Sequence, residues 1–120
     1  MKTLVIEPTT LHEMARIGHE RLPCEACGIL LRVPYKGKRV WELPNRSPLP
    51  HNSFEMFGSD IMLEFEDLPE EEWGHMAVWH THPNGETSAS AADVANRVDV
   101  MGNLVIALGE TPEEARATWY

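Results

Sequence analysis

Apolar and polar residues follow helical spacing in some parts of the chain and strand spacing in others. A helix is predicted over 10–21, with Thr9 or Thr10 as its cap. Its apolar face consists of Leu11, Met14, Ile17 and Gly18. A nearly continuous apolar run over 26–33 has the length of a strand that is buried on both faces. Residues 75–82 and 103–108 have the same character and predict two more buried strands.

Weaker patterns predict the remaining elements. They are a first strand at 2–7, a strand at 40–43 in a hairpin with 26–33, a short strand at 54–57, a helix at 60–68, a helix at 90–101 with Ser90 as its cap, and a last strand at 115–120. Helices and strands alternate without a strict βαβ repeat. This order indicates one mixed sheet with helices packed against it, in a single domain over residues 1–120.

Composition and charge narrow the range of functions. The chain has 120 residues and is 42% hydrophobic, which suits one domain with a real core. Its net charge of −9 disfavours nucleic acids and anionic membranes as partners. No apolar run approaches the roughly 20 residues of a membrane span, and MKTLVIEPTT is interpreted as a strand and not a signal peptide. We therefore expect a cytoplasmic protein whose two cysteines form no disulfide framework.

The stretch WHTHPNGETSASAADV contains the strongest candidate for chemistry. His80 and His82 are two apart at a strand end, so both side chains lie on one face of the sheet. Ser90 and Asp93 are three apart at a helix start, so they share one side of its first turn. Two imidazoles and one carboxylate match a catalytic zinc site, in which the fourth position holds water.

Hydrolysis at such a site needs a general base and an oxyanion donor as well. Ser90, near the start of its helix, suits the donor role. Glu86 is the only acid within the motif's loop, and we interpret it as a solvated side chain. Glu25, in PCEACG directly before the buried strand 26–33, is the better candidate for the base.

These two segments together resemble a known family. His80-Thr-His82, seven residues, Ser90, two residues and Asp93 reproduce the pattern of the JAMM (MPN+, JAB) zinc metalloproteases. Pro-x-Glu-x-Cys-Gly at 23–28 looks like the segment that carries the catalytic glutamate of that family. The order of elements also fits across most of the chain, which resembles a compact prokaryotic or phage type of this family.

The resemblance implies an α/β (α+β mixed) fold, with a curved mixed sheet packed by about three helices and related to cytidine deaminases. It also implies that His80, His82 and Asp93 bind one zinc ion with water as fourth ligand, that Glu25 is the general acid/base, and that Ser90 is the oxyanion donor. Family members cleave peptide or isopeptide bonds after ubiquitin-like or sulfur-carrier proteins, and bind the substrate tail by strand addition. The candidates for that contact here are Phe54, Met56 and Phe57.

Other interpretations remain at this point. Pro23, Cys24 and Cys27 spell the Pro-Cys-x-x-Cys of zinc deaminases, but no His-x-Glu lies upstream to complete that site. We expect both cysteines to pack as small hydrophobic residues. A peptidase of phage tail assembly, which cuts a tail protein or peptidoglycan peptides, is an alternative function. A non-catalytic binding or scaffold module of the same fold is another.

Overall fold

The first helix begins two residues earlier than predicted. The computed structural model describes residues 6–33, 37–65, 76–97 and 102–120, and its first helix, α1, covers Pro8–Glu20. Pro8 stands at the start of the helix, where its fixed φ is favourable and its missing N–H breaks no bond. The threonine cap is therefore wrong, because Glu7 takes the position before the helix.

The predicted first strand falls mostly outside the described residues, which begin at Ile6. Ile6 and Glu7 themselves are not in a strand, so the prediction is wrong for these two positions. The apolar face predicted for α1 is largely confirmed, because Met14, Ile17 and Gly18 are buried.

In the described part of the chain, five strands form one sheet, and the mixed sheet that was predicted is confirmed. They are β1 (Cys27–Val33), β2 (Gly37–Leu43), β3 (Met76–His82), β4 (Gly102–Ala107) and β5 (Arg116–Trp119). Their order is β2-β1-β3-β4-β5. Only β3 and β4 run parallel, and the other neighbours are antiparallel. The predicted hairpin of β1 with its successor is confirmed.

The central strands are covered on both faces of the sheet. One cluster of buried side chains joins Met14 of α1 to Leu30, Trp79 and Leu104. The other cluster joins Ile29, Leu31, Leu43, Met76 and Val78. Trp79 thus packs on the face opposite to its neighbour His80, as the alternation of strand residues predicts. This packing fixes the direction in which His80 and His82 point.

Glycine at position 28 lets the first two strands pack closely. A Cβ at Gly28 would lie 1.8 Å from the backbone oxygen of Trp41 and 2.9 Å from the Trp79 ring. Any larger residue would push β2 away from β1 or displace Trp79. The glycine of PCEACG therefore has a packing role.

Two short helices and a 3-10 turn complete the described part of the fold. Helix α2 covers Gly58–Phe65, helix α3 covers Ala91–Ala95, and a 3-10 turn covers Pro112–Glu114. Residues 66–68 and 98–101 of the two predicted helices lie outside the described residues. Helix α3 ends at Ala95, so the prediction is wrong for residues 96–97. The side chain and the backbone N–H of Asn96 both donate to the carbonyl of Ala92. No helix in the described part of the chain is long and apolar enough to cross a membrane.

The strand predicted at 54–57 is wrong. These residues form no ladder, although Glu55 is fixed at two points. Its N–H donates to Asn45 Oδ1 over 3.1 Å, and its carbonyl accepts from the N–H of Arg46 over 2.8 Å. Two bonds at one residue hold the segment in place without making it a strand.

Candidate metal centre

Two histidines meet at the end of the central strand β3. His80 is fully buried and His82 is 7% exposed. Their side chains lie on the same face, and the two Nε2 atoms are 3.1 Å apart. Burial lowers the pKa of His80 despite the nearby Asp93 carboxylate, so its imidazole favours the neutral form that binds metals. The predicted pair is therefore brought together.

Helix α3 places a carboxylate against both imidazoles. Its cap Ser90 accepts through Oγ from the N–H of Asp93 over 3.0 Å, and Asp93 Oδ2 accepts from the N–H of Ser90 over 2.9 Å. This reciprocal capping box fixes the carboxylate in one direction. As a result, Asp93 Oδ2 lies 3.1 Å from Nε2 of His80 and 3.0 Å from Nε2 of His82.

The turn after β3 sets the tautomer of His82. Nδ1 of this ring lies 3.0 Å from the carbonyl oxygen of Glu86, which can only accept a hydrogen bond. Nδ1 therefore carries the proton, and Nε2 keeps a free lone pair toward Asp93 and His80. Gly85, with φ of 81°, shapes this turn in a region that glycine adopts without strain.

Glu25 approaches the same histidines from the segment before β1. The backbone of Ala26 is tied to Thr81, between the two histidines, by a pair of 2.9 Å hydrogen bonds. Glu25 itself donates its N–H to Pro50 over 2.8 Å, and its carbonyl accepts from Asn45 over 3.0 Å. These bonds hold its side chain beside the site through the backbone alone.

The carboxyl group of Glu25 is buried without a partner at one oxygen. The residue is 6% exposed, and Oε1 makes no hydrogen bond. Burial raises the pKa of Glu25 to about 8, and the nearby charge of Asp93 adds to the shift. A buried carboxyl group with an unused oxygen and a pKa near neutrality can take up and release a proton under ordinary conditions.

The donor set fits a zinc-type ion. Tetrahedral zinc with bonds of about 2.0–2.1 Å separates neighbouring ligand atoms by about 3.3 Å. The three atoms from His80, His82 and Asp93 are 3.0–3.1 Å apart, close to that spacing. Glu25, His80 and His82 also form a buried group whose ligand atoms lie within 4.8 Å. Asp93 Oδ2, which lies 3.0–3.1 Å from both imidazoles, could also supply a third ligand atom.

The family follows from a comparison of the whole sequence. Residues 7–120 match the family model of the prokaryotic homologs of the JAB domain. The chain belongs to this family. A comparison with curated proteins gave no match. The resemblance that the two motifs predicted is thereby confirmed at the level of the family, whose members are often metallohydrolases.

Three cavities of this JAB domain reach residues of the candidate metal centre. One, of about 310 Å³, is lined by Glu25, His82 and Ser90 together with loop residues His51, Asn52, Pro83, Asn84, Glu86 and Ser88. Another, of about 410 Å³, is lined by Phe54 and Asp93. A third cavity, of about 480 Å³, reaches Glu25 past Cys24. The predicted ligands His82 and Asp93, the predicted acid and the predicted donor thus line accessible cavities, whereas His80 is fully buried.

The three predicted substrate-binding residues differ in their distance from the metal centre. Phe54 stacks on the His80 ring, with centroids 4.2 Å apart and planes inclined by 18°. Met56, like Phe54, packs against the buried cluster around Ile29. Phe57 is 46% exposed, and the Arg46 guanidinium lies over its ring. In the described part of the chain, Phe54 is the one of the three with a ring contact to a predicted metal ligand.

Two residues near the site were missed by the sequence analysis. Tyr120 Oη lies 3.5 Å from Nδ1 of His80. The side chain of Asn45 joins three backbone segments, because it donates to Glu25 and Ser53 and accepts from Ser47 and Glu55. No spacing in the sequence links Tyr120 to the motif, which lies 40 residues away. Asn45 stands in a proline-rich loop where a side chain that bonds to the backbone is common.

Proposed function

We propose that this JAB domain is a zinc-dependent metallopeptidase or isopeptidase. It hydrolyses a peptide or isopeptide bond at the C-terminal tail of a ubiquitin-like or sulfur-carrier protein. The observation that carries this proposal is the pairing of two features in one place. Three ligand atoms converge within 3.1 Å, and the buried, unpartnered carboxyl group of Glu25 faces the same histidines.

His80, His82 and Asp93 are the ligands in this proposal. Bound zinc would polarise the carbonyl and lower the pKa of water toward neutrality. A purely structural zinc site uses four protein ligands, commonly cysteines. Cys27 lies outside the group of candidate ligand atoms found among the described residues, and its thiol donates toward the carbonyls of Leu43 and Pro44. The ligand set therefore favours catalysis.

Glu25 moves the proton in the proposed reaction. It accepts a proton from the attacking water and delivers it to the leaving amine. Its carboxyl oxygen Oε1 is available because it makes no other hydrogen bond. Burial without a partner is costly for a side chain with only a packing role. This cost argues against the scaffold alternative.

Ser90 stabilises the oxyanion in the proposed reaction. Its Oγ already accepts from the N–H of Asp93, so the hydroxyl hydrogen stays available for donation. The serine also lines the 310 Å³ cavity together with Glu25 and His82. Cap and oxyanion donor are thus compatible roles for one hydroxyl group.

The segment around Phe54 receives the substrate tail. Glu55 uses its backbone groups to bind Asn45 and Arg46. Within the described part of the chain, the backbone groups of Phe54 and Met56 make no hydrogen bond. An extended peptide can pair with such free groups. The cavity between Phe54 and Asp93 would lead that peptide to the metal centre.

Cleavage of ubiquitin-like fusions tests the proposal. The purified protein is incubated with ubiquitin-like and sulfur-carrier proteins that carry a C-terminal extension, and mass spectrometry locates the cut. We expect a cut at the junction, loss of cleavage with a chelator, and recovery with added zinc. Glu86→Gln is the matched control, because it removes an exposed carboxylate from the same cavity and should cleave normally. Cleavage that persists in the chelator contradicts the proposal, and a cut only in tail or peptidoglycan peptides favours the phage alternative.

A further inference from the structure

The His80 ring is held on two sides by aromatic residues from distant parts of the chain. Phe54 stacks on one face, with centroids 4.2 Å apart. Tyr120 stands edge-on to it, with centroids 5.9 Å apart and planes inclined by 88°. The ring of His80 has no exposed surface. Its orientation is therefore set by these neighbours and by the strand.

Tyr120 is itself well anchored. It follows β5, and its N–H donates to the carbonyl of Asn103 on β4 over 2.9 Å. The preceding Trp119 lies against Gly102, where a Cβ would be 2.5 Å from the indole ring. The backbone pairing thus delivers the phenol to the face of the sheet that carries His80.

The hydroxyl of Tyr120 meets the ring nitrogen that faces away from the ligand cluster. Nε2 of His80 lies near His82 and Asp93, so a metal would take its lone pair there. In a neutral imidazole the proton then stands on Nδ1 and can be donated to Tyr120 Oη, 3.5 Å away. His82 has the equivalent outer contact, through its Nδ1 and the Glu86 carbonyl.

We propose that Tyr120 is a positioning residue for the metal ligand His80, by accepting a hydrogen bond from its Nδ1 while Phe54 packs against the ring. This inference rests on the proposed function for the assignment of His80 as a ligand. Outer partners of this kind fix the tautomer and ring orientation of metal-binding histidines. The outer contact of His82 is a backbone carbonyl, so Tyr120 is the side chain of this kind that a substitution can test.

Metal affinity and cobalt absorption test this role. Zinc dissociation constants are measured against a competing chromophoric chelator for wild type, Tyr120→Phe and Trp119→Phe. We expect Tyr120→Phe to bind zinc about tenfold more weakly. This is the lower end of the roughly 10–100-fold loss of metal affinity that is typical when an outer hydrogen-bond partner is removed. The d–d absorption of the cobalt-substituted variant should also shift. Trp119→Phe is the control for packing, because Trp119 borders the other side of the sheet. We expect it to lower thermal stability and leave zinc affinity unchanged.

The outcomes separate this inference from the proposed function. Equal zinc affinity and equal cobalt spectra in wild type and Tyr120→Phe overturn the positioning role, whether or not the protein cleaves. An equal loss of affinity in Trp119→Phe overturns it too, since general destabilisation would then explain the effect. A tenfold difference confined to Tyr120→Phe supports the role. If that difference appears in a protein that cuts no substrate, the role stands and the peptidase proposal fails.

Discussion

Asp93 and Glu25 are two carboxyl groups that approach the same pair of histidines from different elements. Asp93 accepts from the N–H of Ser90 and contacts both imidazoles. In the metal-free protein, burial opposes its ionisation, but the hydrogen bonds from His80 and Ser90 outweigh it, and the pKa of Asp93 lies well below its usual range. Glu25 has an unpartnered oxygen, and burial raises its pKa to about 8.

This contrast explains how one site can contain both a ligand and a proton carrier. A carboxylate held ionised by several donors is suited to bind a cation. A carboxyl group that lacks such donors is suited to exchange protons near neutral pH. The capping box at the start of α3 makes the first environment. The segment before β1, tied only through its backbone, makes the second.

Removal of the Asp93 charge should have the largest effect. In Asp93→Asn the proposed third ligand becomes a neutral amide, so we expect zinc content to fall far below one ion per chain and cleavage to fall to background. Metal analysis by mass spectrometry checks the first expectation. Glu55→Gln is the matched control, because Glu55 is an exposed acid that lines the same cavity. Full zinc content in Asp93→Asn would show that Asp93 is not a ligand.

Substitution of Ser90 should have the next largest effect. Ser90 bonds to Asp93 and lines a cavity together with Glu25. Ser90→Ala removes both the cap and the donor. We expect turnover to fall by about 10²–10³ from the loss of the oxyanion donor and stability to fall by about 1 kcal/mol from the loss of the cap. Ser90→Asp retains the cap without a hydroxyl donor. Turnover in Ser90→Asp that equals wild type would remove the oxyanion role and leave only the cap.

In the metal-free protein, the pH dependence of stability tests the raised pKa that distinguishes Glu25 from Asp93. The folded pKa of Glu25, about 8, lies above its ordinary value of 4.5. The folded state therefore binds this proton more tightly, and the contribution to stability is fully present below pH 4.5 and is lost as pH rises through about 8. Between pH 5 and 8, wild type should lose stability relative to Glu25→Gln by at most about 1.4 kcal/mol per pH unit. Urea unfolding of both proteins measures it, and parallel pH curves would contradict the raised pKa.

The last and smallest predicted effect concerns how fast the two cysteines beside Glu25 react with a thiol reagent. Burial raises the pKa of the Cys27 thiol to about 12, and the charges of Glu42 and Glu25 add to the shift. Cys24 is partly exposed and lines a cavity with Glu25. We expect a thiol reagent to label one cysteine rapidly in the native protein and the second only after unfolding. Rapid labelling of both would contradict this expectation and would mean that the buried Cys27 becomes accessible in the native protein.

Local patterns were sufficient to predict the part of the site that lies between β3 and α3. Strand alternation places His80 and His82 on one face, and a serine cap fixes the first turn of a helix, whatever the rest of the fold does. The apolar run of β1 was equally clear, since the strand is buried on both faces. These features depend on residues that are close in the sequence.

The remaining features depend on contacts between distant segments. The strand predicted at 54–57 fails because its backbone groups pair with no neighbouring strand. Glu55 bonds to the Asn45 side chain and the Arg46 N–H, and the carbonyl of Phe57 accepts from the start of α2. The contact of Tyr120 with His80 arises from the pairing of β5 with β4, which no spacing reveals. The burial of Glu25 depends on Pro50 and Asn45, which lie in a loop without periodicity. The sequence predicts which residues take part, and the fold decides which of them touch.

The most direct test of the account is to measure metal content and cleavage in the same preparation of Glu25→Gln. Glutamine preserves the size of the side chain and removes its ability to carry the proton. We predict one zinc ion per chain, as in wild type, and a loss of cleavage by about 10²–10⁴. Unchanged cleavage with zinc bound would contradict the division of roles between Glu25 and Asp93, and so would the loss of zinc from this variant.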